Sequence, residues 1–136
     1  MMRSILMGAV AGARAMTPLA ALAATRGRGG RAPVLSAGTV ALAAGELAGD
    51  KLRSAPDRTV PAGIAGRLVS GAIAGAACAG RDDRLAGALL GAAAAVVASH
   101  LTFRLRAAAT RRWGQTASGL IEDGVAVVSA VALARA

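Results

Sequence analysis

Apolar residues in this chain fall into five stretches, and turn-forming or charged residues separate them. The stretches run approximately from Ser4 to Ala24, Val34 to Ala48, Ala62 to Ala79, Leu85 to Phe103 and Gly119 to Ala134. Long apolar runs bounded by glycine, proline and charge are typical of helices. The pattern therefore predicts one all-α domain, residues 1–136, built from four or five short helices rich in glycine and alanine.

The stretches differ in how well their lengths suit a membrane. A spanning helix needs about 20 mostly apolar residues, and the second, third and fifth stretches fall a little short. The first is interrupted by Arg14 and Pro18, whereas the fourth is uninterrupted and continues as an amphipathic basic helix to Arg112. Broken or re-entrant helices are tolerated where neighbours shield their backbone. We therefore expect a helical integral membrane bundle in which some helices are broken or re-entrant.

Composition also favours the bilayer over a water-soluble core. Hydrophobic residues make up 55% of the chain, yet alanine and glycine dominate, with one Phe, one Trp and no Tyr. Soluble cores depend on aromatic and branched side chains for close-packed volume. Small residues instead let membrane helices approach one another closely. We expect a multi-pass protein of the bacterial inner membrane.

The chain has a basic excess, with a formal net charge of +9, and Lys51 is its only lysine. A nucleic-acid partner is not expected, because the arginines are spread along the chain and few aromatic side chains could stack on bases. The glycine-rich loop after the first stretch carries Arg26, Arg28 and Arg31. We expect this loop to lie against anionic lipid headgroups.

The N-terminal segment allows a second interpretation. Arg3, the apolar run from Ile5 to Ala13 and the Ala-Arg-Ala sequence around Arg14 resemble a signal peptide with its cleavage site. Against this, the apolar pattern resumes directly after Arg14 and continues to Ala24. Cleavage would still leave a membrane-like remainder, so the expected class is the same under either interpretation.

Glycines four residues apart occur in each of the first four stretches: Gly8 and Gly12, Gly45 and Gly49, Gly71 and Gly75, Gly87 and Gly91. This spacing places both glycines on one helix face, where a neighbouring helix can approach. We expect these glycine-zipper pairs to pack helices within the chain or between copies, and a homo-oligomer is the expected assembly. The sequence GAVAGA at 8–13 recurs as GAIAGA at 71–76, which a duplication or biased composition would each produce.

Ionisable residues inside or beside the apolar stretches are the candidate site. Charges in a membrane helix are costly and persist when they pair, line a wet cavity or lie near the interface. They therefore form either structural ion pairs, such as Arg14 or Arg67 with Glu46 or Glu122, or a polar site between helices for an ion or an anionic headgroup. The candidates are Arg14, Glu46, Asp50, Lys51, Arg67, His100, Glu122 and Asp123.

Other chemistry has little support in the sequence. His100 is the only histidine and Cys78 the only cysteine, so neither a metal site nor an intrachain disulfide is expected. No nucleophile elbow accompanies His100, and the GRGGR sequence at 27–31 lacks the flanking strand and helix of a phosphate loop. We expect no catalytic residues, no metal and no cofactor.

The chain also resembles an uncharacterised family of small bacterial multi-helix membrane proteins, a domain-of-unknown-function family. The resemblance spans nearly the whole chain and is carried by four motifs: GARAMTPL at 12–19, GELAGDKL at 45–52, RLVSGAIAG at 67–75 and EDGVA at 122–126. It implies a multi-helix membrane protein and no established activity. All the candidate site residues except His100 lie in these motifs.

Two functions are compatible with this pattern. The first is an oligomeric transporter-like or channel-like protein with a charged site between helices. The alternative is a non-transporting membrane scaffold or partner subunit whose charges are structural ion pairs. A lipid-modifying enzyme is a weaker third interpretation, because no nucleophile and base can be paired.

Overall fold

The computed structural model describes residues 1–26, Thr39, Ala43 and residues 61–136. These residues contain five helices and no strand: α1 (Met2–Ala13), α2 (Thr17–Arg26), α3 (Pro61–Cys78), α4 (Arg84–Trp113) and α5 (Gln115–Arg135). The prediction of an all-α chain is thereby confirmed for the part of the chain that the structure describes. The second apolar stretch, Val34 to Ala48, lies outside the described residues except for Thr39 and Ala43.

The first apolar stretch is broken into two helices, α1 and α2. Arg14 follows the end of α1 in extended conformation, with φ −143° and ψ 106°, while its N–H still donates to the carbonyl of Val10 at 2.8 Å. Helix α2 begins at Thr17, and Pro18 is accommodated in its first turn, where a backbone N–H has no helical acceptor. The interruption therefore falls between the two residues, Arg14 and Pro18, at which the sequence predicted it.

A single residue, Gly114, separates α4 from α5. Its φ of 82° lies in the region that favours glycine, and α5 begins at the next residue, Gln115. The helix therefore starts four residues before the predicted Gly119. The predicted start would put Glu122 and Asp123 in the first turn of this helix, and that placement was wrong, because the polar residues after Gly114 are already helical. Both acids lie about two turns inside α5.

Helix α4 is the centre of the bundle, and α1 packs on it through glycines. Gly8 contacts the backbone of Gly91, and a Cβ added at Gly12 would lie 2.7 Å from the Cβ of Ala98. Residue numbers rise together along the two helices, so α1 runs parallel to α4. The hydroxyl of Ser99 adds a hydrogen bond to the carbonyl of Gly12 at 3.2 Å.

Helix α3 packs on α4 through a second pair of glycines. A Cβ added at Gly71 would lie 2.6 Å from the Cβ of Ala95, and Gly75 lies against the carbonyl of Gly87. Here the residue numbers run in opposite directions, so α3 is antiparallel to α4. Gly91 contacts α1 through its backbone and α3 through the face from which its side chain would project, so a side chain there would separate α4 from α3. These six glycines therefore pack helices within the chain, whereas Gly45 and Gly49 lie outside the described residues.

Small and polar residues occupy the interior, and large apolar residues cover the outside. Apart from Met7, Val10 and Leu22, the buried hydrophobic residues are all alanines, and buried polar residues include Ser70, Ser99, Arg14 and Asp123. The exposed large residues of α4 and α5 include Leu85, Leu89, Val97, Leu101, Leu105, Ile121, Val125 and Val128. Burial of apolar side chains in water would give the reverse distribution.

Two helices, α4 and α5, are long and apolar enough to cross a membrane, judged by length and composition. On its own this is weak evidence, since the buried core helix of a water-soluble protein passes the same test. In this chain, however, only 22% of the most apolar window of α4 and 33% of that of α5 is buried. These are therefore not core helices of the isolated chain.

Candidate functional site

An ion pair between Arg14 and Asp123 lies inside the bundle. Arg14 is 1% exposed and Asp123 is 8% exposed, and Nη2 of Arg14 donates to Oδ1 of Asp123. The arginine stands at the break between α1 and α2, and the aspartate lies in the third turn of α5. The pair therefore joins an interrupted helix to a continuous one by opposite charges that are almost entirely withdrawn from solvent.

The antiparallel packing of α1 and α5 explains why Arg14 meets this part of α5. Near the start of α1, Nη2 of Arg3 donates to the carbonyl of Leu133 at 2.8 Å, close to the end of α5. Moving eleven residues along α1 to Arg14 corresponds to moving ten residues back along α5 to Asp123, since both helices rise about 1.5 Å per residue. The register of the two helices therefore determines which acid the arginine meets.

Glu122, the neighbour of Asp123, belongs to a different contact. Nη1 of Arg106 on α4 donates to Oε2 of Glu122 at 3.2 Å, and both side chains are about five-sixths buried. One helical turn nearer the hairpin, the hydroxyls of Thr110 and Ser118 lie 3.1 Å apart. Each partner in these two pairs stands at the same distance in sequence from Gly114, eight residues in the first pair and four in the second.

Arg106 is a site residue that the sequence analysis did not select. The signal that could have found it is the symmetry about Gly114: in a tight antiparallel hairpin, residues equally far from the turn face one another. The apolar pattern predicts a longer loop between the two helices, with the second helix starting at Gly119, and a longer loop does not define this register. The Arg106–Glu122 pair is consequently known only from the structure.

A cleft of about 740 Å³ lies between α1, α4 and α5. Most of its walls are alanine, leucine, valine and isoleucine side chains, including Leu6 and Val10 of α1, and the hydroxyl-bearing Thr102 and Ser129 also line it. The cleft contains both members of the Arg106–Glu122 pair, with Ser118 beside them at the hairpin end. It extends to Leu133 near the opposite end of α5. An apolar trough with one ionic end is therefore a second feature beside the Arg14–Asp123 pair.

The remaining candidates are distributed differently. Arg67 on α3 is 6% exposed, and the hydroxyl of Ser70 donates to its carbonyl at 3.1 Å. His100 is exposed on α4, next to Ser99, which faces α1. Glu46, Asp50 and Lys51 lie outside the described residues, as do Arg28, Arg31 and the side chain of Arg26. Among the candidates that the structure describes, Arg14 and Asp123 contact each other directly.

Thr17, three residues beyond Arg14, contributes a buried hydroxyl at the same helix break. It is 6% exposed, and its Oγ1 has no hydrogen-bond partner among the described residues. A buried hydroxyl without a partner is costly. The break between α1 and α2 therefore combines a charge pair with spare hydrogen-bonding capacity.

A metal centre is not formed by the part of the chain that the structure describes, since no three His, Cys, Asp or Glu side chains cluster there. Comparisons with known proteins supply no further assignment: no family model matches the chain, and no curated protein or solved structure is significantly similar to it. The features that bear on function are therefore the large apolar residues on the surface, the buried ion pair and the cleft.

Proposed function

We propose that this chain is an integral membrane protein of the bacterial inner membrane, a multi-pass helical bundle with its large apolar side chains toward lipid. The distribution of large apolar residues outside the bundle and small residues inside it supports this placement. Leu89 and Val97 are 63% and 67% exposed, while Ala95 and Gly91 between them are buried. In lipid, exposed leucine and valine incur no hydrophobic penalty, and small residues allow close helix packing. In water, the same surface would be a large apolar patch.

The dimensions of α4 support the same placement. Arg84 and Arg104 bracket a stretch from Leu85 to Phe103 that contains no Asp, Glu, Lys or Arg. At about 1.5 Å per residue this stretch is about 29 Å long, and the hydrocarbon core of a bilayer is about 30 Å thick. The two arginines would then lie at opposite headgroup layers, where cationic side chains are tolerated.

We further propose a transporter-like or channel-like function centred on the Arg14–Asp123 pair inside the bundle. The observation that carries this proposal is a buried ion pair at the break of a discontinuous helix. Intramembrane charges are costly, and ion-coupled carriers place them at helix breaks, where unwound backbone and charge together form the site. The unpartnered hydroxyl of Thr17 supplies a further polar group at the same break.

A homo-oligomer is part of this proposal, because one chain of this size encloses little volume. The glycines at 8, 12, 71, 75, 87 and 91 are engaged in helix contacts within the chain. An interface between copies would therefore use the exposed leucine and valine faces of α4 and α5. Size-exclusion chromatography with light scattering in a mild detergent measures the number of chains per particle.

Membrane placement is tested by cysteine labelling in intact vesicles. In a Cys78→Ala background, single cysteines at Leu89 and Val97 are compared with one at Asp82, an exposed residue in the turn before α4. We expect a membrane-impermeant maleimide, added to both sides of the membrane, to label the Asp82 position and spare the other two. All three should react after denaturation in detergent. Full labelling of Leu89→Cys and Val97→Cys in vesicles would exclude membrane burial of this face.

The transport proposal is tested by a double substitution that removes both charges, Arg14→Met with Asp123→Leu. Replacing a buried ion pair by apolar residues of similar size is often neutral for stability, so the bundle should still fold. Proteoliposomes containing a trapped pH-sensitive dye report proton flux, and sodium or potassium gradients test coupled movement. We expect flux above that of protein-free liposomes for the native chain and none for the double variant.

The alternative is a membrane scaffold or partner subunit, which one observation favours. Arg14 and Asp123 neutralise each other in a closed contact, as structural ion pairs do. Under this alternative the native chain shows no ion flux, and Leu89→Ala with Val97→Ala on the exposed face of α4 weakens assembly with a partner more than the neutral double variant does. Flux that survives in the double variant would also count against a site at this pair.

A further inference from the structure

The cleft between α1, α4 and α5 has the shape of a trough for an extended chain. From Glu122, at the level of Arg106, to Leu133 it follows α5 for about 17 Å, about half of the about 30 Å hydrocarbon thickness. Its volume of about 740 Å³ is within the usual range for a bound small molecule, about 300–1,000 Å³. A long apolar trough of this kind suits one alkyl chain of a single leaflet better than a compact solute.

The charge at the hairpin end of the cleft indicates which polar group would be attached to this alkyl chain. Arg106 lines the cleft there, and Arg104, Arg111 and Arg112 are exposed on the same end of α4. Glu122 is the acid that lines the cleft, while the charge of Asp123 is offset by Arg14. Among the described residues, this end of the bundle therefore carries more positive than negative charge, and an anionic group is complementary to it.

The positions of the apolar part of the cleft and of its charged end along the membrane normal agree with those of the acyl chain and headgroup of a lipid. The uncharged part of α4 ends at Phe103, so Arg104 and Arg106 come at the edge of the hydrocarbon layer when Leu85 to Phe103 spans it. The apolar trough continues from there toward the bilayer interior. A phosphate at the Arg106 level would thus have its alkyl chain directly along the cleft.

We propose that the cleft binds an anionic phospholipid, with its phosphate at Arg106 and one acyl chain along α5. This inference rests on the proposed membrane placement and not on the proposed transport. Arg106 keeps its contact with Glu122, and its positively charged guanidinium lines the cleft at the level where the phosphate would lie. The hydroxyl of Ser118, which also lines the cleft, lies within the same end.

Binding is measured by native mass spectrometry of the full chain in a non-ionic detergent. Phosphatidylglycerol and phosphatidylcholine with identical acyl chains are titrated separately, so that only the headgroup charge differs. We expect the native chain to prefer phosphatidylglycerol by about tenfold or more, the size expected from one charge-assisted hydrogen bond. Equal affinity for the two lipids would overturn the proposal.

Two variants separate the headgroup from the acyl-chain contacts. Arg106→Gln with Glu122→Gln removes the ionic end without leaving an uncompensated charge, and the preference for phosphatidylglycerol should disappear. Arg84→Gln, at the far end of α4, is the matched control and should keep the preference. Ser129→Phe fills the trough and should weaken binding of both lipids, whereas Val128→Phe, outside it and 69% exposed, should not.

The result also distinguishes other occupants and the failure of the membrane placement. If Ser129→Phe dissociates a dimer and changes no lipid binding, a second copy occupies the cleft and the lipid proposal is wrong. If the Leu89 and Val97 cysteines are protected in vesicles but the double variant still prefers phosphatidylglycerol, the membrane placement stands and the headgroup site is wrong. If those cysteines react fully in vesicles, both proposals fail together.

Discussion

Arg14 and Asp123 are 109 residues apart in sequence, and the structure joins them by a buried ion pair. One stands where the backbone leaves helix α1, and the other lies inside α5. Because each is almost completely buried, neither charge is compensated by bulk water. Each charge therefore depends on the opposite charge of the other residue.

Removing one charge of this pair should be much more damaging than removing both. We expect Arg14→Met or Asp123→Leu alone to lower the free energy of unfolding by about 3–5 kcal/mol, because an uncompensated charge stays buried. The double variant should lose far less. Thermal unfolding in detergent, followed by circular dichroism, measures the difference. Equal losses in the single and double variants would show that the pair contributes through side-chain packing and not through charge.

A methyl group at Gly91 should separate α4 from α3. A Cβ there would lie 2.9 Å from Cα of Gly75 and closer still to the carbonyl of Gly71. Since these are backbone atoms, they cannot rotate away. We expect Gly91→Ala to destabilise the bundle by about 1–3 kcal/mol, the usual cost of overpacking.

The matched control for Gly91 is Gly124, which lies in α5 with no atom within 4 Å of an added Cβ. Alanine there should stabilise the helix by about 0.5–1 kcal/mol, because it lowers the backbone entropy lost on folding. Unfolding temperatures of the two variants in one detergent give the comparison. A Gly91→Ala variant as stable as Gly124→Ala would contradict the close contact of α4 with α3.

The hairpin register predicts a specific disulfide. In the Cys78→Ala background, Thr110→Cys with Ser118→Cys should cross-link under mild oxidation, because the native hydroxyl oxygens lie only 3.1 Å apart. Mass spectrometry after alkylation of free thiols detects the bond. Thr110→Cys with Thr116→Cys is the control, since residues two apart point in different directions from a helix. Cross-linking of the control alone would place the helices in another register.

Trp113 reports where the far end of α4 lies. It is the only tryptophan, it is 61% exposed, and α4 continues about 15 Å beyond Phe103 to reach it. With Phe103 at the edge of the hydrocarbon layer, the ring lies outside that layer. We expect aqueous acrylamide to quench its fluorescence and lipids brominated deep in their acyl chains to leave it unchanged. The opposite quenching pattern would require α4 to be shifted along the membrane normal.

Much of the local structure was predictable because it depends on neighbouring residues. Apolar runs located α3, α4 and α5, and the break in the first stretch followed from Arg14 and Pro18. The glycine spacing predicted which faces pack, and Gly8, Gly71 and Gly91 do lie at helix contacts. The start of α5 was misplaced because the single-residue turn at Gly114 depends on a positive φ, which the sequence signals only weakly.

The sequence by itself determined that the described chain is all-helical, which helix faces are small, and that charged residues accompany apolar helices. Only the tertiary structure decided the partners of those charges: Arg14 with Asp123, and Glu122 with Arg106. Adjacent acids on one helix project in different directions, so their partners depend on which helix lies on each side. That choice follows from the parallel packing of α1 on α4 and the tight hairpin at Gly114, and both bring together residues that are distant or unselected in the sequence.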